Sequence, residues 1–587
     1  MVLPAATVAV ADLFQWTMYA QKELPAFQEA LSVKKRSGGP GMGKGKGMQE
    51  KGMAIFSSLL PFLGLLFQPG YLDPDIWFIL NGGRYVAEQG IPHVEPFTVH
   101  EGLHFVLEQW LTGLVYWEVY DAFGEEGLLA LVFLAGALLL HFYYRLCLLV
   151  SGGNRQVATL LSLVVGFTAC PFFLVTRPQV LSAPLFVLEV CLLERYAREG
   201  NPRRLLPLPF LSLLLVNLHA ALWPMLFLLV LPYLAACLWG KLELSPPGLP
   251  GSRFAGSPLL LAMAGMFLAG FCNPYGWEAM AFLFTSFDGS IHGRISEIQP
   301  LSIAGLYGKF FFLWLAVSLV IYGKKRVPVQ YLLLFLGTAL MAMYAVRNEF
   351  LFLVLGTFPL AYACREWKSV FLSGEGGSVL PAVLLLLLWV PAAYRVFFVL
   401  EADASWLWGV KGIYLGMVGI CLALSFFGPL GKRARSYALL VYAWLILGVS
   451  MMQPSPGENF SAEHKETVDF LLEQEAATDI LLWTGFNSGA YPEFRGIRCY
   501  MDARPEVFLP SNSRKEENII REYFDLVDGK TYYKDFFRQH GFTHILVMPS
   551  DGIPYAMLPH DPDFSMIYEQ KDKQGEVVCR LFVPAEK

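Results

Sequence analysis

Long apolar runs recur along most of the chain and leave few architectures open. They fall at about 53–70, 126–148, 157–173, 179–194, 205–219, 221–238, 257–272, 307–322, 328–346, 350–364, 378–398, 409–428 and 436–452, about thirteen in all. Several approach or reach the ~20 residues a helix needs to cross a bilayer. Of the 587 residues, 55% are hydrophobic and 16% charged, where soluble domains carry roughly 25% charge. The expected fold is a polytopic α-helical membrane protein, because helices satisfy their own backbone groups in lipid.

Basic residues supply the sidedness. One set of connections holds Arg145 and Arg155, the run from Arg195 to Arg204, Lys241 and Arg253, Lys324 to Arg326, Arg365 and Lys368, and Lys432 to Arg435. The alternate set holds scattered cations such as Arg84, Arg177, Arg294, Lys309 and Arg347. Cytoplasmic loops carry the excess of Lys and Arg. The alternation closes only if 108–120 is a surface helix rather than a span, and Glu108, Glu118 and Asp121 argue for that. The N-terminus is then expected inside, with the loop 71–125 and the tail 458–587 outside, in a plasma membrane.

Residues 1–52 are expected to form a disordered basic cytoplasmic arm, since 37–52 is rich in Gly and Lys. Met42, Met48 and Met53 offer later starts, and the first Met is expected to lie too early. The transmembrane part is expected over 53–453 and a small α/β domain over 458–587. In that tail, 462–474, 515–527 and 532–539 read as helices. The runs 479–483, 498–502 and 543–548 suit buried strands, and 564–570 with 577–583 suit a closing hairpin. No G-x-G-x-x-G or Walker motif occurs, and no nucleic-acid partner is expected. Cys499 and Cys579 can pair on an oxidising side or stay free.

The stretch 71–110 is too polar for hydrocarbon and too aromatic for a plain linker. Ile76, Ile79, Leu80 and Val86 recur at roughly helical spacing, so 75–88 reads as a helix lying on the membrane. Trp77, Tyr85 and Trp110 are interfacial rings. Asp75 opens that helix, and Gly90-Ile91-Pro92 stops it. The bland reading of Asp73-Pro74-Asp75 is a helix cap. Further polar groups stand at outward helix ends: Arg177-Pro178-Gln179, Asn217-Leu218-His219, Asn273-Pro274-Tyr275-Gly276, Arg294 to Pro300, and Arg347-Asn348-Glu349. Each alone reads as a capped end or a snorkelling side chain. Together they put the chemistry on one face.

These residues resemble the GT-C superfamily, integral-membrane glycosyltransferases that use polyprenyl-phosphate sugars. In the branch with aminoarabinose transferase and protein O-mannosyltransferase, an Asp opens the first surface helix and a Gly closes it. Asp75 and Gly90 match that spacing, and Glu108-Gln109-Trp110 falls at a second acidic motif. The family's second acid after the Asp is Ile76 here, with an extra acid at Asp73 instead. A closer resemblance is to a set of bacterial membrane proteins of that superfamily. It is carried by Asp73-Pro74-Asp75-Ile76-Trp77, Gly83-Arg84, Pro96-Phe97-Thr98, Arg177-Pro178-Gln179, Asn217-Leu218-His219, Asn273-Pro274-Tyr275-Gly276 and Asp502-Ala503-Arg504.

The resemblance implies sugar transfer from a polyprenyl-phosphate carrier in the membrane lipid to an unknown extracytoplasmic acceptor. Such transfer needs a carboxylate base near the acceptor and positive charge near the leaving phosphate. Asp75 is the expected base. Asp73 is the second choice, because Pro74 biases it to an extended conformation that suits a capping or metal role. Arg177 and Arg347 are expected to hold phosphate, with Arg294 or Lys309 as a further candidate, and Glu108, His219 and Glu297 to line the substrate. Asp73, His104 and Glu108 form a candidate ligand set for Mg or Mn. Asp502 and Arg504 are expected to pair within the tail. Two other classes compete: a transporter or flippase of a lipid-linked or small solute, and a non-catalytic GT-C-like scaffold.

Overall fold

The computed structural model describes Ser58, Pro61 and residues 72–241, 254–286, 294–367, 464–514, 517–572 and 575–585. The expected arm at 1–52 and the expected spans 378–398, 409–428 and 436–452 lie outside these residues, as does nearly all of 53–70.

Helix α1 spans Ile76–Gln89. It ends where Gly90 takes φ 89° and its N–H reaches Val86 O, a backbone conformation that favours glycine. The buried face of α1 includes Ile76, Trp77, Ile79 and Leu80. Helix α2 spans Trp110–Val150 but is broken at Gly124, with φ 65° and ψ −157°. The segment before the break corresponds to the expected surface helix. The one after it contains the apolar run 126–148. Glycines let α1 and α2 approach closely: a Cβ on Gly83 would stand 2.0 Å from Gly113 O.

Among the described residues the longer helices that follow are α3 (Arg155–Phe173), α4 (Gln179–Glu199), α5 (Leu208–Leu218), α6 (Pro224–Lys241), α7 (Ser257–Gly270), α8 (Trp277–Thr285), α9 (Leu306–Lys324) and α10 (Val329–Tyr344). Among the described residues, two helical stretches have the length and apolarity to cross a membrane, within α2 and over Ala220–Gly240. Four apolar helices are shorter, including α7 and α10. The apolar runs therefore do not map one to one onto full-length spanning helices. The run 205–219 yields only the 11-residue α5, about 16 Å long, because Pro207 precedes it and His219 leaves helical geometry at φ −164°. The run 350–364 is interrupted by a π-helical turn at Phe352–Gly356 and a break before Leu360–Ala363.

In the tail, helix α11 (Lys465–Gln474) precedes a five-stranded sheet. Its strands are β1 (Leu481–Trp483), β2 (Arg498–Cys499), β3 (His544–Val547), β4 (Phe564–Lys571) and β5 (Val577–Pro584), in the order β2-β1-β3-β5-β4. β1 pairs in parallel with β2 and β3, whereas β5 runs antiparallel to β3 and β4. Helices α12 (Ile519–Val527) and α13 (Tyr533–His540) cross between β2 and β3. Cys499 lies on β2 and Cys579 on β5. Two strands separate them, roughly 14 Å at the usual strand spacing, beyond the reach of a disulfide.

The tail is packed onto the outer loop. Trp77 of α1 meets the rings of Tyr491 and Phe494 at 4.9 and 5.0 Å. Val99 N donates to Cys499 O at 2.9 Å, so the loop covers the outer edge of β2.

Candidate active site

Arg177 is the centre of the site. It lies in the connection between α3 and α4, where Pro178 bars a continuous helix. Its Nε stands 3.0 Å from Asp73 Oδ1, its Nη2 2.9 Å from Asp75 Oδ2 and its Nη1 2.7 Å from Glu297 Oε1. One guanidinium thus gathers three carboxylates from two other connections. Asp73 is braced by its own backbone, whose N–H donates to Thr176 Oγ1 at 3.0 Å. Its Oδ1 also accepts the Asp75 N–H at 3.0 Å.

Asp75 is the N-cap residue of α1, yet its side chain makes no capping bond. It turns to Arg177 instead, and 27% of its side chain stays open. Its depth below the protein surface removes it from bulk water and pushes it up to about 7. Arg177 works against that shift, while Asp73 and Glu297 add to it. Burial lowers the affinity of Arg177 for its proton, but the surrounding carboxylates more than reverse this, so it stays charged. With three acids around one cation, holding a proton on Asp75 relieves like-charge repulsion.

Next to this cluster, Glu108 and His219 are both buried side chains, with Glu108 Oε1 3.9 Å from His219 Nε2. His219 Nδ1 is 3.1 Å from Ser182 Oγ, and Glu108 Oε2 accepts the Ala221 N–H at 3.1 Å. Burial pushes Glu108 up to about 8, so it is neutral near pH 7. Arg347 acts electrostatically on Glu108, Glu297 and Arg177, and burial lowers its own pKa. It also acts on Glu506 of the tail, which burial pushes up to about 7.

Two expected site residues go elsewhere. Arg294 makes a two-pronged contact with Asp528 and lies 4.9 Å from the Phe524 ring, at the exposed side of α12. Its partner is a tail carboxylate rather than the Arg177 cluster. His104 is about half exposed and stands 3.5 Å from Glu278. With Asp73 on Arg177 and Glu108 on Ala221 N, the trio Asp73, His104 and Glu108 does not converge. Among the described residues no three His, Cys, Asp or Glu side chains are placed to hold one metal ion.

Arg504 forms a second, wholly buried ionic centre. Its Nε donates to Asp502 Oδ2 at 2.6 Å, and its Nη2 reaches Glu95 Oε1 at 3.1 Å and Glu493 Oε2 at 3.3 Å. The expected Asp502–Arg504 pair is thus part of a lock between the tail and the outer loop. Glu95 also accepts the N–H groups of Phe97 and Thr98. Glu95, Glu493 and Glu506 belong to no motif that marks them in the sequence. The only local signal was the position of Glu95 directly before Pro96-Phe97-Thr98.

No family model and no curated protein matches this sequence. Solved structures do match in fold. The ArnT of Cupriavidus metallidurans, solved bound to undecaprenyl phosphate, aligns at a TM-score of 0.53 and 10% identity, over 90% of this chain and 97% of its own. The oligosaccharyltransferase AglB of the archaeon Archaeoglobus fulgidus, solved with an inhibitory peptide and a dolichol-phosphate, aligns at 0.52 and 8% identity, over 93% of this chain and 75% of its own. Both belong to the GT-C superfamily, and the fold of this chain is GT-C-like.

Proposed function

We propose that the protein is a membrane glycosyltransferase that moves a sugar from a polyprenyl-phosphate carrier to an extracytoplasmic acceptor, with Asp75 as general base. The observation that carries the reading is the 2.9 Å contact of Asp75 with Arg177 at the mouth of α1. It occurs in a chain whose fold matches two structures solved with polyprenyl phosphates.

In the proposed step, an acceptor hydroxyl or amine attacks the anomeric carbon. A bond forms from the acceptor atom to that carbon, and the carbon–oxygen bond to phosphate breaks. The electron pair leaves on the phosphate, and the acceptor proton passes to Asp75. A base works best with a pKa near the operating pH, and Asp75 stands at about 7. Asp73 and Glu297 hold Arg177, which orients Asp75. Arg347 is the proposed cation for the leaving phosphate, because a guanidinium can make two parallel bonds to it. Glu108 and His219 supply hydrogen bonds to the sugar.

The N-terminus and basic connections are proposed to be cytoplasmic, and the sheet-bearing tail extracytoplasmic. The test is transfer of labelled sugar from its lipid carrier by purified protein, comparing the parent with Asp75→Asn. Dependence on Mg or Mn is checked in the same assay by chelation and re-addition. Uptake of the lipid-linked sugar into vesicles without transfer would replace this reading with a transporter.

A further inference from the structure

Gly83-Arg84 and Pro96-Phe97-Thr98 take no part in the proposed chemistry, yet both border one cleft. It measures about 370 Å³ and lies between the second half of α1, the loop at 96–97 and residues 493–498 of the tail. That volume is in the range of small-ligand sites. The cleft is separate from the Arg177 cluster. Arg84 follows Asp75 by nine residues, about two and a half helical turns, so the two lie on opposite sides of α1.

The wall is rich in donors. Arg84 Nη2 donates to Asn81 Oδ1 and to Phe494 O, both at 2.8 Å. Arg498 Nε donates to Thr98 O at 3.0 Å. These bonds orient both guanidinium groups, and each keeps further N–H groups beyond them. Among the described residues, two buried atoms of the wall find no hydrogen-bond partner, Asn81 Nδ2 and Glu493 Oε1. Their residues are only 2% and 3% exposed. An amide nitrogen only donates. Burial, and then Asp502, push Glu493 far above the ordinary carboxylate range, against the pull of Arg504. The guanidinium groups of Arg84 and Arg498 stand in this wall beside the acids Glu88 and Glu493.

Shape narrows the ligand further. The rings of Tyr85 and Phe97, 5.7 Å apart, offer apolar surface beside the donors. A peptide would seek a free strand edge. The nearby edge of β2 is already taken by Val99 N on Cys499 O.

We propose that this cleft binds an anionic sugar residue, carboxylated or phosphorylated, at a site separate from the reaction centre. The choice of a saccharide rests on the glycosyl-transfer reading, and the anionic preference rests on the cleft itself.

The test is calorimetric binding to the full-length protein in detergent, with trigalacturonate, mannose 6-phosphate, maltotriose and hexaglutamate as probes. One or both anionic sugars are expected to bind at least tenfold more tightly than maltotriose, and the one that binds identifies carboxylate or phosphate. Arg498→Gln, at an exposed position, is expected to weaken that binding at least tenfold, and Glu88→Gln to strengthen it. Thermal melts establish that both variants fold. No binding by either anionic sugar, equal binding by maltotriose, or equally tight binding by hexaglutamate overturns the proposal. Asp75→Asn is expected to bind the sugar as the parent does. Sugar binding without transfer removes the proposed reaction and keeps the cleft, and transfer without sugar binding does the reverse.

Discussion

Glu95 and Arg504 stand 409 residues apart and meet in the interior, with Arg504 Nη2 3.1 Å from Glu95 Oε1. The contact ties the first outer loop, which carries Asp75, to the tail. A buried cation among three acids holds together only as a set, since removing one member strands the rest. Arg504→Met is therefore expected to destabilise the protein by about 3–5 kcal/mol, read as a lower melting temperature and faster proteolysis of the tail. A melt and digestion pattern like the parent's would show that the lock does not hold the tail.

The position of Asp75 at about 7 predicts a pH profile. A general base acts as its carboxylate, so turnover should rise from the acid side with a limb near pH 7 and level above it. Asp75→Asn should lower turnover by about 10²–10⁴-fold and abolish the limb. Near-normal turnover in Asp75→Asn, with a large loss in Asp73→Asn, would move the base to Asp73.

Arg177 balances Asp73, Asp75 and Glu297 together. Arg177→Gln removes the one interaction that lowers the pKa of Asp75, so the limb should move to higher pH as well as turnover falling. Arg177→Lys keeps the charge but not the three-way geometry, and it should restore part of both. An unshifted limb in Arg177→Gln would place the titrating group elsewhere.

Gly83 packs where a Cβ would stand 2.0 Å from Gly113 O. Gly83→Ala must push α1 away from α2, at a cost of about 1–3 kcal/mol for overpacking. The displacement reaches the start of α1, so turnover should fall along with the melting temperature. A variant with unchanged melt and unchanged turnover would show that the two helices separate freely.

Alternating basic connections predict that 432–435 is inside and 458–587 outside. An alkaline phosphatase fusion after Gly457 should be active, and one after Gly431 silent. The reverse pattern would put the Arg177 cluster in the cytoplasm.

Some of this was legible locally. Short apolar runs and a hairpin around Gly575 marked every strand of the tail, and β1, β2 and β3 lie within the expected runs. Gly90 bounded α1 because a positive-φ glycine is a local requirement, whereas Asp75 holds the N-cap position without a capping bond. The charged stretch 108–121 falls before the break at Gly124. What the sequence could not express was partnership. Arg177 finds Glu297 120 residues away, and Arg294 turns to Asp528 rather than to the site. An ion pair has no period and no preferred spacing along the chain, so only the packing of helices and tail selects its members. The same holds for the shifted acids. Asp75, Glu108 and Glu506 are ordinary carboxylates by composition, and burial in the assembled fold makes them candidate proton carriers near neutral pH.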